Sequence, residues 1–237
     1  MVGDPMTEPG MYLSHPGVVR TLPFAVFVAF ILVADLVQGV PGLADFDPRY
    51  IYPFKVMLVT LLLALLWRRM EELRTLPANR KWLWLWAPFV GLVVFVLWIN
   101  LDFGWLNLAD PDAPGYNPRD PETGELHWPL ALTRLAGSAL LVPIIEELFW
   151  RSFLMRWITQ SDFLALAPAA ISAKAMLVSS LIFGLEHTLW FAGILAGLAY
   201  GWLYRASGSL WPPIVAHGVT NGVLGLWVLG TGNWWYW

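Results

Sequence analysis

Two neighbouring carboxylates, Glu146 and Glu147, stand inside an otherwise apolar stretch, LLVPIIEELFWRSFLMRW over residues 140–157, and Arg151 follows them. On a helix at bilayer depth each such charge costs about 2.5–3.5 kcal/mol to insert. Ionisable groups there mark a functional site and require partners. The chain holds four histidines. His187 and His217 lie in apolar segments on different predicted helices, whereas His15 and His127 fall in predicted loops, where an exposed histidine without a role is the simplest reading. A carboxylate and a neutral imidazole within reach of one water can share its proton and make it nucleophilic. A single buried histidine is more often structural, but two beside a glutamate pair are harder to explain that way.

Spacing adds detail. His217 and Asn221, in HGVTN, are four apart and share a helix face. Together they can present two donors to one point, as a developing oxyanion requires, although Asn221 can equally serve as interhelical glue. Phe183 and His187, in FGLEH, share a face in the same way, with the ring able to wall the site. Glu147 and Arg151 are four apart in the favourable order, as support for the site or simply as a neutralising pair. That leaves Glu146, about 100° around the helix, free to act. Pro143, one turn earlier, removes a backbone donor and can kink the helix. Glu186 beside His187 hints at zinc, but neither HExxH nor HxxEH occurs, because Phe183 stands where the second needs histidine. No GxSxG is present, and Ser138 in AGSAL has no setting for a nucleophile.

The elements that must position these groups are membrane helices. The chain of 237 residues is 58% hydrophobic and 13% charged, against about 25% charged in soluble domains. Its mean hydropathy is +0.59. An integral membrane protein is therefore expected, and nothing suggests a nucleic-acid partner. Cysteine is absent, which excludes disulfides, thiolate metal sites and a cysteine nucleophile. Sixteen tryptophans, several at the edges of apolar runs, suit an interfacial belt.

The hydropathy pattern predicts an all-α polytopic helical bundle of seven or eight transmembrane helices in one membrane domain, residues 1–237. Residues 1–127 hold three spans and an acidic loop, and residues 128–229 hold the core helices that carry the motifs. The first twenty residues, with Asp4, Glu8 and three prolines, lack the basic region of a cleavable signal. Spans are predicted over 21–37, 53–67 and 82–101. The loop between the second and third carries Arg68, Arg69, Arg74, Arg80 and Lys81, which places it and the N-terminus in the cytoplasm. Asp35 lies near the end of the first span, and Asp45 is among the turn formers that follow. Residues 102–127 read as an irregular external connector. A ligand site at Asp110 and Asp112 is the lesser reading there, since the alternating ligands of a calcium loop are missing. A fourth helix is predicted over 128–157, a fifth over 174–187, a sixth over 190–204 and a seventh over 211–229. The sixth is dense in small residues that let backbones approach (Gly193, Ala196, Gly197, Gly201). The stretch 159–173 is either interfacial, re-entrant or an eighth span. It is also expected to absorb a depth mismatch. Glu146 lies about 18 residues along the fourth helix, and His187 about 20 Å from the start of the fifth.

At these motifs the sequence resembles the family of CAAX proteases and bacteriocin-processing enzymes, the intramembrane relatives of type II CAAX prenyl endopeptidases. The resemblance rests on Glu146-Glu147-xxx-Arg151, Phe183-xxx-His187 and His217-xxx-Asn221 in that order, with GSLWPPIVAH leading into the third. It covers about residues 140–224. It is also similar in style to the bacterial CAAX-prenyl-protease-related subgroup associated with exosortase systems. The resemblance implies hydrolysis of a peptide bond within the membrane by a glutamate-activated water. Glu146 would be the base and His187 its assistant. His217 and Asn221 would form the oxyanion hole, with Glu147, Arg151 and Phe183 supporting. It implies no cofactor, with zinc at Glu146, His187 and His217 as the alternative. The expected partners are membrane lipid and a membrane-embedded or lipidated polypeptide, and the expected location is a bacterial inner membrane. Bacteria generally lack prenylation, so the CAAX label need not describe the substrate. Two rivals from other classes are a non-catalytic scaffold or immunity protein with the same fold, and a proton-coupled transporter. No inverted repeat favours the transporter.

Overall fold

The computed structural model describes residues 15–38, 40, 42, 46–76, 82–108 and 115–237. Asp4, Glu8, Asp45, Arg80, Lys81, Asp110 and Asp112, together with the side chain of Asp35, lie outside the described residues. Among the described residues seven long helices make up the bundle: α1 (Pro16–Gln38), α2 (Ile51–Leu66), α3 (Trp82–Asn100), α4 (Trp128–Thr159), α5 (Ala173–Leu185), α6 (Trp190–Ser207) and α7 (Trp211–Thr231). Among the described residues α1, α3, α4, α7 and the stretch around α2 are long and apolar enough to cross a membrane. The chain is an integral membrane protein, and large apolar side chains such as Leu32, Leu65, Leu85 and Leu140 stand on its outer surface.

Local chemistry sets the helix ends. The two histidines read as idle loop residues are both helix caps. His15 Nδ1 accepts from the Gly17 amide at 3.2 Å, and His127 Nδ1 accepts from the Leu130 amide at 3.3 Å. Each satisfies one of the amides that a helix N-terminus leaves without a partner. Ser172 caps α5 through the Ala175 amide at 3.1 Å. Helices α6 and α7 stop at Gly208 and Gly232, whose φ values of 69° and 75° are in the left-handed region that glycine enters without strain.

Helix α4 is the axis of the bundle, packing against α1, α2, α5 and α7. It is not a uniform α-helix. Two wider π-helical stretches, Gly137–Leu141 and Leu148–Leu154, flank the α-helical Val142–Glu147. Pro143 has no amide to offer and its ring crowds the carbonyl of Ala139, so the turn before it opens. The opened turn is used: Gly218 of α7 packs close to the Ala139 carbonyl, and Asn221 donates to Ser138 O at 2.9 Å. The small residues of α6 do what their spacing implied. A Cβ on Gly193 would come 2.9 Å from Gly184 Cα, and one on Gly197 would come 2.9 Å from Ser180 Cα.

The stretch between α4 and α5 forms a tight connector with one three-residue 3-10 turn, Pro168–Ala170, rather than a further helix. Arg156, near the end of α4, holds it by donating to Leu164 O and Leu166 O at 2.9 and 2.8 Å. Thr159 and Ser172 hydroxyls meet at 3.3 Å across its base. Helices α4 and α5 therefore run antiparallel from a shared end. The Phe183 ring lies edge-on to Trp150 at 5.6 Å, so His187, one turn beyond Phe183, comes level with Glu146, one turn before Trp150. The expected depth mismatch does not exist. Glu146 precedes Thr159 by thirteen residues and His187 follows Lys174 by thirteen. The mismatch came from measuring the glutamate from the opposite end of its helix. At the other end of the bundle, the loop after α3 folds over the tip of the α5–α6 hairpin. The Leu108 amide donates to Thr188 O at 2.8 Å and Trp190 Nε1 donates to Trp105 O at 2.9 Å.

Candidate active site

Helix α4 brings Glu146, Glu147 and Arg151 into the interior, where they are 7%, 0% and 1% exposed. The pairing along the helix forms: Arg151 Nη1 lies 3.1 Å from Glu147 Oε1. Arg151 also donates from Nη2 to Gly197 O at 3.3 Å, and its guanidinium lies over the rings of Phe183 (4.7 Å) and Tyr200 (5.5 Å). Aromatic faces compensate part of the cost of burying that cation.

His217 comes to this cluster from α7, but to Glu147 and not to Glu146. Its Nδ1 is 3.0 Å from Glu147 Oε1. Helix α4 thus turns Glu147 toward α7, so that Glu147 serves both Arg151 and His217. The His217 ring stacks on Tyr200 at 5.0 Å and 17°, with Phe183 edge-on at 6.2 Å. Tyr200 in turn donates to Thr220 Oγ1 at 2.7 Å, and Thr220 donates to Gly91 O of α3 at 2.8 Å. Gly91 makes that approach possible, because a Cβ there would lie 2.3 Å from Ala216 O. The result is a rigid stack that fixes the plane of the imidazole.

His187, just past the end of α5, has its Nδ1 2.7 Å from Phe183 O. A carbonyl oxygen only accepts, so Nδ1 carries the proton and Nε2 keeps a lone pair. The Glu147 carboxylate imposes the same assignment on a neutral His217. Both imidazoles are thus fixed through Nδ1 and leave Nε2 for other work. Trp98 of α3 closes the far side of His187 at 5.3 Å.

Glu146 differs from every other charge in the cluster. Among the described residues it has no hydrogen bond or ion pair, and its Oε2 is fully buried. Glu186, Glu147 and Arg151 are near enough for their charges to act on it. Asn221 is part of the frame as well as of the site, since one Nδ2 hydrogen is spent on Ser138 O and the other stays available. Among the described residues no three His, Asp or Glu side chains are placed to hold a metal ion together.

Tyr200, Trp98, Trp150 and Glu186 belong to this neighbourhood and were not assigned to it from sequence. Tyr200 carried the one usable signal, a lone phenol among the small residues of α6.

With these contacts known, the comparisons can be placed. Characterised proteins and solved structures supply no match to this chain. A family model does: residues 128–223 match type II CAAX prenyl endopeptidase Rce1-like. That stretch contains every residue of the cluster except Gly91 and Trp98, and runs from the start of α4 into α7. Over residues 128–223 this integral membrane protein is therefore similar to the Rce1-like type II CAAX prenyl endopeptidases.

Proposed function

We propose that this protein is an intramembrane endopeptidase in which Glu146 activates water without a metal, acting on a membrane-embedded or lipidated polypeptide in a bacterial inner membrane. The observation that carries the reading is the buried, unpartnered carboxylate of Glu146, next in sequence to the Glu147 that meets His217, in a cluster whose two imidazoles have their Nδ1 atoms already committed. A buried carboxylate without a partner is costly, and proton abstraction is a function that repays that cost.

In this reading Glu146 takes a proton from a water that also donates to His187 Nε2, and the resulting hydroxide attacks the scissile carbonyl carbon. The tetrahedral oxyanion accepts hydrogen bonds from the free Nδ2 hydrogen of Asn221 and from Nε2–H of His217 in its imidazolium form, which Glu147 stabilises across Nδ1. Protonated Glu146 then gives its proton to the leaving amine as the C–N bond breaks. Arg151 holds the Glu147 carboxylate in place through their ion pair. The basic loop after α2 favours the cytoplasm for that end of the bundle and for the N-terminus.

The test is cleavage of single-span and prenylated peptides by the purified protein in lipid nanodiscs, with products mapped by mass spectrometry. Glu146→Gln should lower turnover by roughly 10²–10⁴-fold, with His187→Ala and His217→Ala also impaired. A strong chelator should change nothing. Full activity in Glu146→Gln would overturn the mechanism, and loss of activity to the chelator would overturn its metal-free form.

A further inference from the structure

A groove of about 620 Å³ runs between α1 and α5 over the surface of α4, walled by Phe24, Val28, Phe149, Ile182 and Leu185. Two of its residues do not suit a surface that meets only lipid tails. Glu186, at the C-terminal cap of α5, is an exposed carboxylate and the one charged side chain in the groove. Among the described residues no hydrogen bond or ion pair is found for it. Trp150 forms the floor, is 3% exposed, and its Nε1–H has no acceptor. A buried indole donor without an acceptor carries a desolvation cost, and the Glu186 carboxylate has no cation beside it. Something that supplies a cation and an acceptor would remove both.

The groove also borders the site, from which the Trp150 and Phe183 rings divide it. Trp150 lies one turn from Glu146, and its ring packs against Phe183, which walls His187 and His217. The charge of Glu186 is felt at Glu146 itself. An apolar lipid chain would fill the walls but satisfy neither polar group. An extended polypeptide has carbonyl acceptors along its length and can carry a basic side chain.

We infer that this groove seats the apolar segment of the substrate polypeptide on its way to Glu146, and that Glu186 selects a lysine or arginine close to the scissile bond. The inference deepens the protease reading and rests on it for the identity of the occupant. Trp150 Nε1 donates to a substrate carbonyl and orients the chain, and Glu186 pairs with the basic side chain. Glu186 is a specificity residue here and takes no part in bond breaking.

The test uses the full chain in nanodiscs in a Glu146→Gln background, so that peptides bind without turnover. Three fluorescent single-span peptides differ only in carrying Lys, Gln or Glu at one flank of the apolar segment. The Lys peptide should bind about tenfold tighter than the Gln peptide, as for one charge-assisted contact. Adding Glu186→Gln should erase that preference, and Glu186→Lys should reverse it toward the Glu peptide. Trp150→Phe, which keeps the ring, should weaken all three by about threefold or more and leave their order unchanged. Equal affinity across the panel, no binding, or a preference untouched by Glu186→Lys would overturn the inference. Cleavage with Glu146 intact is scored separately. Selective binding without cleavage would defeat the protease reading alone, and cleavage without selectivity would defeat this inference alone.

Discussion

Helix α4 carries two buried ionic clusters within two turns of each other, and they are built in opposite ways. Toward the end with the basic loop, Arg20 of α1 spends every nitrogen. Nε and Nη2 grip both oxygens of Glu72 at 2.6 and 2.7 Å, and Nη1 donates to Pro16 O at 3.0 Å. The Ser152 hydroxyl completes Glu72. Arg156 beside it is spent on the connector carbonyls. One residue away from Ser152, around Arg151, the cluster leaves Glu146 Oε2, Glu147 Oε2 and Arg151 Nη1 buried without hydrogen bonds. The first arrangement is what structure alone requires, since buried charges are tolerated when fully bonded. The second keeps capacity in reserve, as the proposed function requires of a place where a substrate and a water meet.

Substitutions can separate the two. The largest effect is expected at Glu146→Gln, which should abolish turnover, by roughly 10²–10⁴-fold, while the thermal midpoint in detergent stays level or rises because an unpartnered charge has been removed. Stability increasing together with activity lost is the signature; a lowered midpoint would move Glu146 into the structural class. Next comes Arg151→Met, which leaves Glu147 buried with His217 as its remaining partner. It should destabilise by about 3–5 kcal/mol and lower turnover in the fraction that remains folded, read by denaturation and by active-site counting. Arg20→Met should destabilise by a similar or smaller amount yet leave turnover per folded molecule near wild type. The double variant Arg20→Met/Glu72→Met should recover to within about 1–2 kcal/mol, because a pair replaced by apolar groups is often neutral. A double variant as unstable as the single would show that Glu72 has a further partner.

The smallest effect is in pH. Burial alone would lift the Glu72 carboxyl, but the hydrogen bonds and charge of Arg20, with the Ser152 hydroxyl, outweigh it and hold the group below its ordinary range. A carboxyl depressed in the folded state contributes stability above its unfolded value, about 4.3, and loses it as pH falls through the folded value. The midpoint of the wild type should therefore drop more steeply below about pH 5 than that of Arg20→Met/Glu72→Met. Parallel pH curves would show that the pair contributes nothing over that range.

The helices were legible because an apolar stretch of about twenty residues has few alternatives in a membrane. The three motifs were legible because polar residues at membrane depth are few and conspicuous. What escaped was rotation and partner choice. The rule of 100° per residue assigned Glu147 to Arg151 and left Glu146 free, but it could not show that the face α4 turns to α7 also puts Glu147 on His217. The stack of Tyr200, His217 and Thr220 was invisible because it spans α6, α7 and the backbone of α3, and no local pattern encodes it. Glu186 was weighed only as a zinc ligand, since its position on an open groove depends on where α1 packs. His15 and His127 were dismissed as loop residues because capping is a matter of one backbone amide three residues or fewer away.

The brevity of α5 has a consequence for supply. Thirteen residues of helix rise only about 20 Å, whereas the hydrocarbon layer is about 30 Å thick. Helix α5 alone is thus shorter than that layer is thick, and His187 and Glu186 stand at its end, beneath the loop that Leu108 and Trp105 pin in place. On the proposed reading the scarce reactant is water, and a shortened helix is a way to bring it toward Glu146 without opening the rest of the bundle.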